Sequence, residues 1–254
     1  MELTVMSFNL RIHVEEDGEN AWPNRIESAA NAILASGAAV VGTQEGSLPM
    51  LESLSALLPG YEWIGEGRLG GVEGEYCAIF YQSSMLKPIE SGTFGLSEQP
   101  EQLGFMSWNT ACPRICTWMR LQHAEGAECL IFNTHLDHIS EEARINGAML
   151  IVDRMNMDGA TSAILTGDFN CEPESRTIEI LNQTGLQHTY NALYESTPGC
   201  TYHGFIGGDD GEPIDYIFVT PQISIMTAQV DKRKYNDRYP SDHYPIAATL
   251  QIQP

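Results

Sequence analysis

The residues of this chain best suited to chemistry are Asn9 in MSFNLR, Glu45 in GTQEG, His135 in NTHLDH, Asp168 and Asn170 in TGDFN, Asp215 in PIDYIF, and Asp242 and His243 in SDHYP. They are carboxylates, imidazoles and carboxamides, and almost all stand where an apolar run stops. Groups placed in this way are expected to gather along one edge of a sheet. Oxygen ligands with imidazoles nearby suit a hydrated Mg²⁺ ion and the cutting of a phosphoester by water. Each motif taken singly has a plainer reading. A lone Glu after a strand is usually a solvated loop residue, and a His at a strand end is usually a surface or capping group. TGDFN alone reads as an Asx-type turn. His138 and Asp137, beside His135, are assigned the plainer role. The functional reading rests on the motifs occurring together.

The elements that must position these groups follow from periodicity. Leu3 to Phe8 reads as a strand that ends at Asn9. Ile26, Ala29, Ala30, Ile33 and Leu34 share one helical face over residues 25–36, and Gly37 stops that helix. Residues 38–42 form a short buried strand that delivers Glu45, and a second helix runs from about Ser47 to Pro59–Gly60. This opening implies parallel neighbours with helices outside. The middle is strand-rich, over residues 76–81, 85–93, 115–123 and 128–133, with hairpin punctuation. Ser140 caps a helix reaching about Met155, and Thr161 to Thr166 is a strand that delivers Asp168. A helix over 175–183 and strands over 214–219, 223–230 and 246–252 complete the chain. Two mixed sheets packed face to face, with helices on both outer sides, fit this order.

In order and spacing the motifs resemble the endonuclease/exonuclease/phosphatase superfamily, which includes DNase I, apurinic/apyrimidinic endonuclease, inositol polyphosphate 5-phosphatases and neutral sphingomyelinases. The resemblance runs from Ser7 to Pro245 and implies a DNase I-like four-layer α/β sandwich. It implies that Glu45 is the main Mg²⁺ ligand, with Mn²⁺ as the alternative ion, and that Asn9 and Asp242 complete or orient the metal site. In DNase I-like members the NTHL histidine pairs with a Glu at the start of a strand, and Glu75 of GEYCAIFY occupies that position here. The resemblance therefore implies a Glu75–His135 dyad suited to proton donation to a leaving oxygen. By the same route Asp168 aligns the attacking water and Asn170 donates to a phosphoryl oxygen. His243 contacts the scissile phosphoryl group, with Asp215 on its far ring nitrogen. GEYCAIFY, GTFGLSEQP, PRICTW and TYHGF resemble a bacterial branch of largely unassigned members, some of which act on sugar phosphates. Gly95 stands where that branch often shows Trp.

On the substrate side, Arg68 in GEGRLGG and Arg114 in CPRICTW are candidates for bidentate capture of a phosphate. Trp108, Trp118, Tyr202, His203 and Phe205 are candidates for a pocket wall, with ordinary packing as the plainer alternative for each.

Composition narrows the partners. The 254 residues, 43% hydrophobic, have no linker, repeat or low-complexity tract, so a single domain over 1–254 is expected. A net charge of −21, from 34 acidic and 13 basic side chains, disfavours long nucleic acid, whose binders carry a basic stripe. The basic cluster Lys232, Arg233, Lys234 and Arg238 reads as a solvated loop. The six cysteines form no C-x-x-C pair and read as buried thiols. No stretch approaches a membrane span, and the N-terminal residues enter a strand at once, so a cytoplasmic protein without membrane partners is expected. The leading expectation is a Mg²⁺-dependent hydrolase of a small phosphorylated molecule such as a sugar phosphate. The alternatives are a nuclease or DNA-repair phosphodiesterase using the same site, and a binding module on the same fold. A binding module would not need the full set of acid, base and metal residues.

Overall fold

In the computed structural model, β1 (Glu2–Asn9) turns Leu3 and Val5 to one side and Met6 and Phe8 to the other, and both faces are buried. That alternation, a consequence of the two-residue period of a strand, decides the layering of the molecule. Residues 1–124, 126–157, 162–192 and 198–252 are described. After β1 come α1 (Trp22–Ser36), β2 (Val40–Gln44), α2 (Leu48–Ser55), β3 (Tyr61–Ile64) and β4 (Ile79–Gln82). β5 (Leu86–Gly95), β6 (Ile115–His123), β7 (Glu128–His135), α3 (Glu141–Met157) and β8 (Ala163–Asp168) follow. The chain closes with α4 (Arg176–Gln183), β9 (Gln187–His188), β10 (Asp215–Val219), β11 (Ile223–Val230) and β12 (Ile246–Ile252).

These strands form two mixed sheets of six, ordered β11-β12-β1-β2-β4-β3 and β5-β6-β7-β8-β10-β9. Each has one parallel pair at its centre, β1–β2 and β7–β8, flanked by antiparallel neighbours. Val5, Val40, Ile131, Ile164 and Ile217 pack between the sheets. Met6 and Phe8 pack outward on Ile33 and Leu51 of α1 and α2, while Leu130, Phe132 and Leu165 pack outward on Ile151 and Ile178 of α3 and α4. The result is the expected four-layer α/β sandwich.

Local signals set the helix ends. Pro23 and Pro49 stand in the first turns of α1 and α2, where no intrahelical donor is lost. Gly37 ends α1 in the left-handed region at φ 66°. Ser175 caps α4 by accepting from Ile178 N–H, and Ser140 Oγ accepts from Ala143 N–H ahead of α3. Three expectations needed adjustment. α2 stops at Ser55 rather than Pro59, the strand expected from Tyr76 begins at Ile79, and β3 and β9 were not foreseen. Thr161, the expected start of β8, lies outside the described residues.

At one end the space between the sheets turns polar. Asn133 on β7 donates to the carbonyls of Thr43 (2.8 Å) and Ala78 (3.0 Å), and its Oδ1 accepts from Gln44 Nε2 (2.7 Å) and Thr166 Oγ1 (3.0 Å). A Cβ on Gly42 would stand 2.1 Å from Thr166 Oγ1, so only glycine permits this approach of β2 to β7 and β8. The network clamps the two sheets together directly beneath the end where the chemical groups collect.

Candidate active site

Register alone places three of the groups in a row. His135 at the end of β7 is the ladder partner of Asp168, and Asp168 is the partner of Asp215 at the start of β10. On the facing sheet Asn9 pairs with Gln44, so Glu45 emerges next to it. The sequence then turns sharply after each strand. Arg11, Glu45 and Asn170 adopt left-handed backbone at φ 54°, 60° and 50°, an uncommon state for residues with side chains, and one that concentrates at functional sites.

Asp168 is the centre of the arrangement. Its Oδ2 accepts from Asn9 Nδ2 at 2.9 Å and lies 3.5 Å from His135 Nε2 and 3.8 Å from His243 Nε2, while Oδ1 accepts from Asn170 N–H at 2.9 Å. Asn9 Nδ2 also donates to Glu45 Oε1 (3.0 Å), and Ile12 N–H holds Glu45 Oε2 (2.9 Å). Asp215 Oδ2 accepts from His243 Nδ1 at 2.9 Å, while its buried Oδ1 has no partner among the described residues. Ligand atoms of Glu45, His135 and Asp168 converge within 4.8 Å of one another, as do those of Asp168, Asp215 and His243, giving two candidate metal clusters that share Asp168.

The charge states of these carboxylates follow from burial and from their neighbours. Burial pushes the Asp168 carboxyl up, Asp215 adds to the effect, and the group reaches about 7. Burial likewise raises Asp242 despite nearby His243 and Arg11. Burial also opposes charge on Glu45, but hydrogen bonds from Ile12 and Asn9, with His243 and Arg11 nearby, outweigh it and hold the group below its usual range. Burial thus opposes the charge of all three carboxylates, and only at Glu45 do the neighbours overcome it. Two carboxylates and a neutral imidazole are a donor set that fits a divalent cation.

Glu45, His135, Asp168, Asn170, Asp242, His243, Glu75, Arg68 and Arg114 all line one cavity of about 550 Å³. Asn9 and Asp215 are buried behind them. The structure corrects one expectation and narrows two. Glu75 does not reach His135; its carboxylate pairs with Arg68 at 2.5 Å, and His135 Nε2 instead faces Asn170 Nδ2 at 2.9 Å. The glycine-rich loop that carries Arg68 folds back on Glu75, with Arg68 N–H on the Glu75 carbonyl. Asn9 presents its amide nitrogen to two carboxylates, and its Oδ1 is taken by Arg11 N–H at 2.9 Å, so it orients Glu45 and Asp168 rather than offering an oxygen. Among the described residues Asp242 belongs to neither candidate metal cluster, and it lies 3.7 Å from Arg11 Nε.

Of the aromatic candidates only Tyr202 lines the cavity, half exposed, with its ring 5.1 Å from that of His243. Trp118 stacks on Phe132 and His203 stacks on Tyr244, while Phe205 sits over Arg25; Trp108 and Gly95 are also outside the lining. Asp137 is a capping residue as expected, but a buried one. It accepts from Thr110 Oγ1, Ala111 N–H, Ile139 N–H and Ser140 N–H, and so anchors the loop before Arg114. His138, read as a plain surface group, contacts Arg114 Nη2 at 3.1 Å and lines the cavity. Arg11, Cys112, Ile214 and the underlying Asn133 were missed. Arg11, two residues after Asn9, and Asn133, two residues before His135, carried a signal in their positions. The basic cluster is spent locally, with Lys232 on Asp209, Arg233 on Asp231, Lys234 over Tyr239 and Arg238 on the Glu19 carbonyl. No described helix is long and apolar enough to cross a membrane.

A model of the Endonuclease/Exonuclease/phosphatase family matches residues 6–243. Among solved structures, an endonuclease/exonuclease/phosphatase family protein of Bacteroides thetaiotaomicron is 33% identical with TM-score 0.95, covering 100% of this chain and 99% of that one. The mannosyl-6-phosphatase of B. thetaiotaomicron VPI-5482 is 33% identical with TM-score 0.93, covering 98% and 100%. A functionally unknown conserved protein of Enterococcus faecalis V583 is 26% identical with TM-score 0.91, covering 99% and 100%. No curated protein matches the chain.

Proposed function

Because the chain belongs to the Endonuclease/Exonuclease/phosphatase family, we propose that it is a Mg²⁺-dependent phosphoester hydrolase acting on a small phosphorylated molecule, with a sugar phosphate as the preferred substrate. The family and the two metal clusters support a metal-dependent hydrolase in general. The observation that carries the finer reading is the cavity itself. It joins the acidic Glu45–Asp168–Asp242 side to a wall bearing Arg68 and Arg114, in a chain whose charge of −21 repels long polyanions. The similarity to a mannosyl-6-phosphatase points the same way.

Glu45, His135 and Asp168 would hold the ion, which when bound neutralises charge on the phosphoryl oxygens. Asp168 also orients the attacking water, whose proton passes to the solvent of the open cavity. His243 is kept protonated: burial disfavours its charge, but the charge and hydrogen bond of Asp215, with Asp168, overcome it. Its Nε2–H then donates to a phosphoryl oxygen while Nδ1–H stays on Asp215. Asn170 supplies a second donor. Asp168 and His243 lie too close together to serve both faces of an in-line displacement. The leaving oxygen therefore departs toward the open cavity and takes its proton from water. Water adds to phosphorus, the ester P–O bond breaks, and the products are the alcohol and inorganic phosphate. Preorganised charge, not a covalent intermediate, supplies the rate.

The test is release of phosphate from hexose phosphates, nucleotides, and single- and double-stranded oligonucleotides, each with Mg²⁺, with Mn²⁺ and with EDTA. The proposal expects metal-dependent turnover with the highest kcat/KM on a hexose phosphate. Efficient cleavage of DNA with no turnover of any small phosphoester would replace it with the nuclease.

A further inference from the structure

The ladder between β1 and β12 ends at the pair Ser7–Ile246. The segments that carry the chemistry, residues 9–12 and 240–243, lie beyond that last pair. Across this gap sits Arg25 of α1. It is 1% exposed, and among the described residues no carboxylate pairs with it. All its partners are backbone carbonyls. Nε donates to Asn20 O (2.8 Å), Nη1 to Leu10 O and to Pro240 O (3.1 Å), and Nη2 to Arg11 O (2.5 Å). The rings of Trp22 and Phe205 lie 5.0 Å and 5.7 Å from its guanidinium carbon.

Two of those carbonyls belong to peptide planes whose opposite edges touch the site. The plane that offers Leu10 O carries Arg11 N–H, which holds Asn9 Oδ1 at 2.9 Å. The plane that offers Arg11 O carries Ile12 N–H, which holds Glu45 Oε2 at 2.9 Å. A planar trans peptide points its C=O and N–H in opposite directions, so gripping one edge aims the other. Hydrogen bonds in such a chain also polarise one another. The third carbonyl, Pro240 O, lies two residues before Asp242 and three before His243. A single cation therefore reaches both halves of the site through main-chain dipoles.

We propose that Arg25 is a positioning residue for the reaction: its guanidinium fixes the Asp242–His243 segment against the Asn9–Glu45 segment and aims the donors that orient Glu45 and Asn9. The inference rests on the metal-dependent reading of the site given above. The geometry requires arginine. Four of its five N–H groups are used in one plane, whereas lysine has three donors on a point charge and leaves at least one buried carbonyl without a partner.

The measurement is Mg²⁺ titration by calorimetry together with kcat and KM on the best substrate for Arg25→Ala, Arg25→Lys, Glu45→Ala and Leu121→Ala. Leu121 packs between the sheets away from the site and serves as a variant destabilised without any effect on positioning. Arg25→Lys and Arg25→Ala are expected to weaken Mg²⁺ affinity about ten- to a hundredfold, the range for groups that orient metal ligands. Leu121→Ala, compared at an equal interval below its own Tm, keeps wild-type affinity. Added guanidinium restores part of the affinity of Arg25→Ala. Should Arg25→Ala fail to fold, Arg25→Lys carries the decision. A folded Arg25 variant with Mg²⁺ affinity within twofold of wild type, or an equal loss in Leu121→Ala, overturns the inference while Glu45→Ala still loses the metal. If Glu45→Ala binds Mg²⁺ like wild type, the metal reading itself falls, and this inference with it.

Discussion

His243 and His135 face the same cavity from two sides and are held in opposite charge states. Both are buried, at 5% and 7% exposure, so desolvation penalises the imidazolium of each. At His243 the penalty is overcome by Asp215 and Asp168, and the ring titrates well above its ordinary range. At His135 burial is reinforced by Arg114, His243 and Arg68, and the ring titrates well below it. Asp168 lies 3.5 Å from this ring without reversing the shift, and Glu75 is held by Arg68. The contrast teaches that a histidine's role is set by the sign of the charges that reach it, not by its motif. One ring is favoured in its protonated form and the other as a neutral nitrogen that faces Asn170.

Breaking the charged side has the largest expected effect. His243→Ala should lower kcat by about 10²-fold or more, the size of a lost electrostatic donor. A loss below about threefold would remove His243 from the reaction. Asp215→Asn should do less, about tenfold in kcat, because the ring survives but loses the carboxylate that keeps it protonated. In that variant the His243 midpoint followed by NMR should move down; a midpoint that stays in place contradicts the dyad.

The neutral side can be sharpened by removing its cation. Arg68→Met should raise the His135 midpoint, since one positive neighbour is gone and Glu75 is released to turn toward the ring. The kinetic cost should fall mainly on KM for a phosphorylated substrate. An unchanged titration would mean that burial and Arg114 alone hold His135 neutral.

Metal binding should depend on pH through the group both clusters share. Protonated Asp168 cannot ligate, so Mg²⁺ affinity should rise as pH increases through about 7 and fall below it. Calorimetry at two pH values on either side of that midpoint checks the direction.

The smallest effect on chemistry is expected at Asp137. Burial works against its charge, but the donors from Ser140, Thr110, Ala111 and Ile139 outweigh it and hold its pKa below the usual value. Its stabilisation is therefore fully present above the unfolded carboxyl value of about 3.9 and is lost as pH falls through the folded value. Asp137→Asn should cost about 1–3 kcal/mol at neutral pH and flatten the acid limb of the stability profile, with kcat little changed. Denaturant melts at several pH values read this directly.

Much of this is legible in the amino-acid sequence. Alternating or continuous apolar runs marked β1, β6, β7, β8, β11 and β12 within a residue or two, because long buried strands leave that pattern. β3 and β9, with four and two residues, are too short to carry a period. Glu45, His135, Asp168 and Asn170 were legible because each stands where an apolar run ends, whereas Arg11, Cys112 and Ile214 in the same lining were missed. The wall aromatics were not, since a Trp or Phe serves a core as readily as a pocket, and only Tyr202 turned out to face the cavity.

The sequence by itself determined the layers and the donor set. Strand period and strand-end position are properties of neighbouring residues along the chain, and they put carboxylates, amides and imidazoles at one rim. Only the tertiary structure decided which of those groups are partners. Glu75 binds Arg68 rather than His135, Asn9 turns its nitrogen to two carboxylates, and Arg25 grips carbonyls up to 215 residues away. Such choices depend on distances of a few ångströms between loops, and on which buried charge finds a counter-charge first. Coulomb energies and desolvation costs act through space, so nothing in local spacing encodes them.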